Sequence, residues 1–346
     1  MRFATLTVIS AICFLLFSCS KSISNYPISN HFDGEVFYNL DHQVTKNFID
    51  VIHWKLGFTQ KEWPNYVEIS DPKNNAEKFK NNKMPFITSH INHATHLIKF
   101  DEVNVITDPI FSMRCSPFQW IGPKRVHQPG MSLEHLPQID FVVISHNHYD
   151  HMDEDSLKEI HKKHQAKFIV PLGNKIILEK VGIKNIVELD WWESYKIKNL
   201  SITLVPAQHW SLRLGTSRNV ALWGGYIFEY QNGDTRKTSY FSGDTGFGSF
   251  FHEIRKRFPR MDLALLAIGA YEPRWFMKEQ HINPKDAIRI HQILSSKLSI
   301  ASHYGTFQLS DEEIDQPVKK LNDLLKRSKK NKYPFIATSF GDLVSF

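Results

Sequence analysis

Apolar residues fall along this chain in short runs, at positions 86–87, 97–98, 103–106, 141–144, 168–170, 202–205, 221–223, 226–228, 239–241 and 263–268. Most are rich in β-branched or aromatic side chains and bounded by Gly, Pro, Asn or Asp, the punctuation of strands. Helical spacing interrupts them. Between about 44 and 56, Val44, Phe48, Val51, Ile52 and Leu56 fall on one helical face, with Trp54, Phe58 and Trp63 nearby. This 44–63 flank is open to two readings, a helix packed on the core or a surface offered to a membrane or an acyl chain. Asp153 predicts a cap for a helix carrying Leu157 and Ile160. Asn283-Pro284 predicts another, with Asp286 near its start and Ala287, Ile290 and Leu294 on one face. A last, basic helix is expected over about 311–326. Strands mixed with helices in this way imply a layered α/β sandwich.

Composition narrows the class. The chain has 346 residues, 42% hydrophobic and 23% charged, with a formal charge of +6. Disorder, collagen and coiled coil are excluded as whole-chain descriptions. The modest positive charge permits contact with phosphates without demanding it. Lys329, Lys330 and Lys332 read as a solvated end, and no nucleic-acid partner is expected. Arg2 is the only charge before a short apolar run from 3 to 17, the pattern of an export signal over 1–18. Leu16-Phe17-Ser18-Cys19 resembles a bacterial lipobox, with Cys19 as the lipidated residue and 19–34 as a Ser- and Asn-rich tether. A bacterial cell-envelope protein, lipid-anchored to the membrane, is the resulting expectation. Cys115 is then expected to be an inert, buried thiol. Residues 35–346 form the remaining domain, with a helical flank over about 35–80.

The chemistry sits where strands end. After 141–144 the chain reads Ser145-His146-Asn147-His148-Tyr149-Asp150-His151. Alternate side chains of an extended backbone point the same way, so His146 and His148 can reach one metal. The turn that must follow brings Asp150 and His151 round from another direction, towards a second metal. Imidazole nitrogen with carboxylate oxygen favours a first-row ion, zinc foremost. Three further groups stand just beyond apolar runs: His209, Asp244 and His303. Gly243 allows a close turn at Asp244, whose two oxygens can bridge two cations.

These seven residues resemble the ligand set of the metallo-β-lactamase superfamily, and the chain is similar in more detail to the N-acyl-phosphatidylethanolamine-hydrolysing phospholipase D family. Thr107-Asp108-Pro109-Ile110-Phe111, Gly122-Pro123-Lys124-Arg125, Gln208-His209-Trp210, Leu222-Trp223-Gly224-Gly225 and Gly243-Asp244-Thr245-Gly246 carry the likeness, as do Ile268 to Met277, Gln280-His281 and His303-Tyr304-Gly305-Thr306-Phe307. Asn92 stands where such proteins usually have Gly, and Tyr304 where they have Trp. The resemblance implies an α/β fold of the αβ/βα four-layer kind, with two zinc ions at one edge. It assigns His146, His148 and His209 to one ion, Asp150, His151 and His303 to the other, and Asp244 to both. It implies a phosphodiesterase of phospholipase D type, whose metal-bridging hydroxide releases N-acylethanolamine and phosphatidate. Asp108 would orient a ligand histidine or the nucleophile, His281 would join it in catalysis, and Tyr149, Gln280 and His281 would meet the substrate. Arg274 is left between substrate contact and bracing its loop through Glu272. The phospholipid substrate, a membrane surface reached through the lipid anchor and the 44–63 flank, and a homodimer are the implied partners. Two other classes stay open: a metal-dependent lactonase or general phosphodiesterase on the same site, and a non-catalytic envelope lipoprotein that binds metal or lipid.

Overall fold

The computed structural model describes residues 26–57, 59–327 and 332–346. The expected export segment 1–18, Cys19, the first part of the expected tether, Phe58, Lys329 and Lys330 lie outside the described residues. Of the expected 19–34 tether, residues 26–34 are described, and Tyr26, His31 and Phe32 are held against the body. The Tyr26 hydroxyl donates to Glu188 (2.9 Å), and Phe32 and Phe37 are buried against the core.

Two seven-stranded mixed sheets stack face to face. The first has the order β14(Leu343–Ser345), β1(Phe86–Asn92), β2(Thr95–Phe100), β3(Val103–Thr107), β4(Phe141–Val143), β5(Lys167–Pro171), β6(Ile186–Leu189). The second runs β13(Phe335–Ile336), β12(Ser299–Ser302), β11(Leu263–Ala267), β10(Thr235–Phe241), β9(Gly225–Asn232), β8(Leu200–Val205), β7(Ser194–Ile197). Period-two alternation sorts side chains into three apolar layers. Phe141 and Val143 of β4 and Leu263 and Leu265 of β11 enter the layer between the sheets. Val142 faces outward to α2(Pro72–Asn81), α3(Glu154–His164) and α4(Lys175–Lys180), meeting Phe79, Leu157 and Leu178. Ala264 and Leu266 face α5(Phe250–Arg257), α7(Pro284–Leu294) and α8(Gln316–Arg327) on the other side. Strands buried on both faces explain the continuous apolar runs. The expected four-layer αβ/βα sandwich is therefore the fold.

Details differ where local chemistry intervenes. The first helix, α1(Phe48–Leu56), begins later than its apolar spacing suggests, because Asn47 accepts from the amides of Ile49 and Asp50 and forms a capping box with Asp50. The rest of the 35–80 flank is irregular apart from α2. Residues 221–223 are not a strand. The Trp223 indole donates to the Ala207 carbonyl (3.0 Å), which ties the segment to the chain leaving the neighbouring strand β8 instead. The Asp153 carboxylate does not cap α3; it receives the Ser112 amide and the Ser156 hydroxyl. The last helix starts at Gln316, since Asp311 and Glu312 are buried, receiving the Trp54 indole and the backbone amides of Tyr271 and Glu272. Asn283 caps α7 as expected, with Asp286 completing its capping box.

One buried hydroxyl ties the sheets together beside the 145–151 loop. Tyr226 of β9 donates to the carbonyls of Ile144 (2.9 Å) and Ile169 (3.1 Å) on the opposite sheet. Replacing Tyr226 by Phe keeps the ring and removes the tie. The expected cost is about 1 kcal/mol of stability, read as a lower denaturant midpoint at unchanged slope.

Candidate metal centre

All seven sequence-identified groups converge where the strands of both sheets end. His146 and His148 leave β4 on alternate positions. Their inward atoms, Nε2 and Nδ1, stand 2.8 Å apart, with His209 Nε2 3.3 Å from the same His148 nitrogen. Asp150, His151 and His303 gather beside them: His151 Nε2 is 3.2 Å and His303 Nε2 3.5 Å from Asp150 Oδ2. Asp244 lies between the groups, with Oδ2 at 3.2 Å from His151 Nε2 and 3.9 Å from His209 Nε2, and Oδ1 at 3.0 Å from His303 Nε2. Gly243 makes that placement possible. At φ +53° it turns so tightly that a Cβ there would come within 2.5 Å of the Ser145 Cβ on the facing sheet.

Three of the five rings, His146, His151 and His209, are aimed by a partner behind them. The Ser145 hydroxyl donates to Asp108 and so accepts from His146 Nδ1 (2.9 Å). Asp108 Oδ2 accepts from His151 Nδ1 (2.6 Å), and the Gln280 carbonyl accepts from His209 Nδ1 (3.0 Å). With their outer nitrogens carrying protons, His146 and His209 turn inner lone pairs towards one nitrogen of His148, while the inner nitrogen of His151 faces Asp150 and Asp244, which with Asp108 outweigh burial and hold that ring's pKa well above its usual value. Burial pushes His148 down to about 4 and His209 to about 3, so both rings are neutral at physiological pH. Burial opposes charge at His303 too, but Asp244 and Asp150 outweigh it and lift the group to about 9. Neutral imidazole nitrogens facing one another, beside the buried Asp244 and the partly buried Asp150, fit divalent cations: a cation satisfies both the lone pairs and the negative charge. His146, His148 and His209 form one such donor group, and His93, Asp150, His151 and His303 another.

His93 is absent from the set read in the sequence. It sits at the turn between β1 and β2, buried, with Nε2 2.9 Å from Asp150 Oδ2. A lone histidine in a hairpin gives no spacing signal; the one hint was a residue other than glycine at a tight turn.

The remaining expected residues divide. Asp108 is fully buried and meets only the Ser145 and His151 side of the site, so among the described residues it orients a histidine and does not face the cleft. His281 reaches the cleft: its Nδ1 lies 3.8 Å from Asp244 Oδ2 and has no hydrogen-bond partner. The Gln280 side chain approaches Met277 Sδ at 3.6 Å, and it is the Gln280 carbonyl that serves the centre. Tyr149 is turned to its own neighbourhood, its hydroxyl accepting from the Leu214 amide and its ring under the Arg213 guanidinium at 4.0 Å. Arg274 braces its loop. It donates to the His281 carbonyl (2.8 Å) and Asp286 (3.2 Å), while its own amide bonds Glu272. Cys115 is a buried free thiol whose pKa is pushed well above its usual value by burial.

The centre opens into a cavity of about 250 Å³. Its apolar wall comes from Val51 and Trp54 of α1, Phe276 and Met277 of α6(Arg274–Met277), Trp210 and Leu309. Trp54 stacks on Phe276 at 5.0 Å and is pinned by Asp311. The other side of α1 leaves Ile49 (74%), Ile52 (41%) and Leu56 (64%) exposed, with Trp275 (48%) on α6. The flank therefore both packs on the body and presents apolar surface.

Comparison with known proteins places this geometry. A family model described as the β-lactamase superfamily domain matches residues 103–304. The chain is 38% identical over 266 residues to N-acyl-phosphatidylethanolamine-hydrolyzing phospholipase D 1 of Caenorhabditis elegans, covering 73% of this chain and 74% of that one. It is 32% identical over 255 residues to the mitochondrial protein of the same name from Saccharomyces cerevisiae, covering 72% of this chain and 54% of that protein. Among solved structures, the metallo hydrolase Igni18 of Ignicoccus hospitalis superposes with a TM-score of 0.56 at 22% identity, over 75% of this chain and 98% of that one, a likeness of fold. The chain is thus a metal-dependent hydrolase that belongs to the N-acyl-phosphatidylethanolamine-hydrolysing phospholipase D family of the β-lactamase superfamily.

Proposed function

We propose that this protein is a dizinc phosphodiesterase of phospholipase D type, which hydrolyses N-acyl-phosphatidylethanolamine to N-acylethanolamine and phosphatidate. The observation that carries the proposal is the joining of a polar, cation-demanding floor to an apolar cavity wall. A diacyl phosphodiester has the same division, one charged group among hydrocarbon. His146, His148 and His209 would hold one zinc, Asp150, His151 and His303 the other, and Asp244 both. When bound, such a pair lowers the pKa of water towards ~7 and offsets phosphate charge. The protein's own residues do the rest. Ser145, Asp108 and Gln280 keep the imidazoles aimed, so little reorganisation accompanies the reaction. His281, neutral because burial pushes it down to about 3, offers Nδ1 beside Asp244 to a phosphoryl oxygen. Trp54, Phe276 and Leu309 exclude water around the reacting diester. Names of relatives from worm and yeast support the substrate.

The setting belongs to the same proposal. Cys19, after removal of 1–18, would carry the lipid of a bacterial envelope protein, and the chain would act as a homodimer at a phospholipid surface. The exposed apolar side of α1 with Trp275 suits that surface, and Lys46 lies 5.8 Å from the Trp275 ring centroid, a cation beside an interfacial aromatic.

Three measurements test this. Side by side, N-acyl-phosphatidylethanolamine is expected to be cleaved in preference to an acyl lactone. A soluble aryl phosphodiester is expected to be a slower substrate. Lactone hydrolysis with an inert phospholipid overturns the assignment. Asp244→Ala is expected to lose bound zinc and at least about 100-fold in turnover, measured by elemental analysis and initial rates. Ile49→Ser with Ile52→Ser removes apolar contact worth about 3 kcal/mol in total. Hydrolysis of the lipid in vesicles should fall at least about 10-fold, with the soluble diester cleaved at the original rate.

A further inference from the structure

We infer that His93 is a positioning residue for one half of the centre only, the half formed by Asp150, His151 and His303. The inference rests on the two-cation reading and deepens it. His93 touches this half three ways. Its Nε2 is 2.9 Å from Asp150 Oδ2. Its carbonyl accepts the His303 backbone N–H at 2.8 Å. Its ring lies over the His303 ring, centroids 3.9 Å apart. One residue thus fixes two of the three expected ligands relative to each other. The ring contacts of His93 are with His151, His303 and Phe307, and its bonds run to Asp150, Thr306, His90, Ser302 and His303. His146, His148 and His209 do not figure among them.

The backbone is bent to achieve this. His93 has φ +42°, the left-handed region where glycine is at ease and histidine is not. The conformation is held from several sides. The His93 amide donates to Thr306 Oγ1 (2.9 Å), and its carbonyl also takes His90 Nε2 (2.7 Å). Thr306 is in turn bonded to His127 Nε2 (3.0 Å). A strained backbone locked by four neighbours has a use for its side chain, and the acceptor bonded to that side chain is a candidate metal ligand. An Nε2–H donated to Asp150 Oδ2 limits the rotation of that carboxylate and sets which lone pair remains for a cation.

The test uses metal binding, not turnover. The full-length protein, His93→Ala and His93→Gln are stripped with chelator and titrated with Co²⁺, following the visible absorption of the bound ion. The original protein is expected to take two equivalents. His93→Ala is expected to keep one at its original affinity and to bind the other about 10–100-fold more weakly. His93→Gln, whose amide N–H can still reach Asp150, should recover much of that loss. Two equivalents at original affinity in the alanine variant overturn the inference, as does equal weakening of both or a glutamine variant no better than alanine. If His93→Ala does not fold, Thr306→Val carries the same test. It removes the hydroxyl that holds the His93 amide and should weaken one equivalent alone, and unchanged affinities overturn the inference. Fewer than two equivalents in the original protein overturn the two-cation reading itself, and this inference with it.

Discussion

Three buried imidazole nitrogens that face one another across less than 3.5 Å satisfy one another only in part, because one N–H on His148 can serve just one of its two neighbours. His146, His148 and His209 are held in this relation, with protonated outer nitrogens donating to Ser145 and Gln280 behind the first and last of them. Next to them, Asp150 and Asp244 are carboxylates without access to bulk water sufficient to solvate two charges. Left to itself the centre recruits protons on His151 and His303 to balance these charges. A divalent cation does the same work better, because it accepts the lone pairs as well. The rest of the edge is built around this requirement for positive charge.

The sandwich supplies the geometry through strand ends. β4 delivers two histidines on one face, and the turn after it reverses direction for Asp150 and His151. β8, β10 and β12 of the second sheet each run directly into one further group: His209, Asp244 and His303. The two sheets must approach closely for these to meet. Gly243 against Ser145 permits the approach, and the Tyr226 hydroxyl holds the interval fixed. The apolar layer between the sheets provides the driving force, while these polar ties select one register.

Much of this was legible in the sequence because strand alternation and strand ends leave a strong imprint. His146 and His148 could be paired from their spacing alone, and four strands running into titratable groups indicated one convergent edge. Other features left little imprint. β7, with the sequence Ser-Tyr-Lys-Ile, is short and half exposed, and β13 and β14 pair only with partners distant along the chain. Residues 221–223 are apolar for packing reasons unrelated to a ladder. Asp311 and Glu312 looked like the start of a helix because their real role, receiving Trp54 and the 271–272 amides, is set by tertiary contact. Tyr149 turned towards Arg213 for the same kind of reason, and a single histidine such as His93 acquires meaning only once Asp150 stands beside it.

The central claim is that two cations are held at this edge and share Asp244. Anomalous diffraction at the zinc absorption edge from crystals grown with zinc addresses it directly. The account expects two peaks, one among His146, His148 and His209 and one among Asp150, His151 and His303, with Asp244 in contact with both. A single peak, or zinc bound elsewhere with the 146–151 loop unliganded, contradicts it.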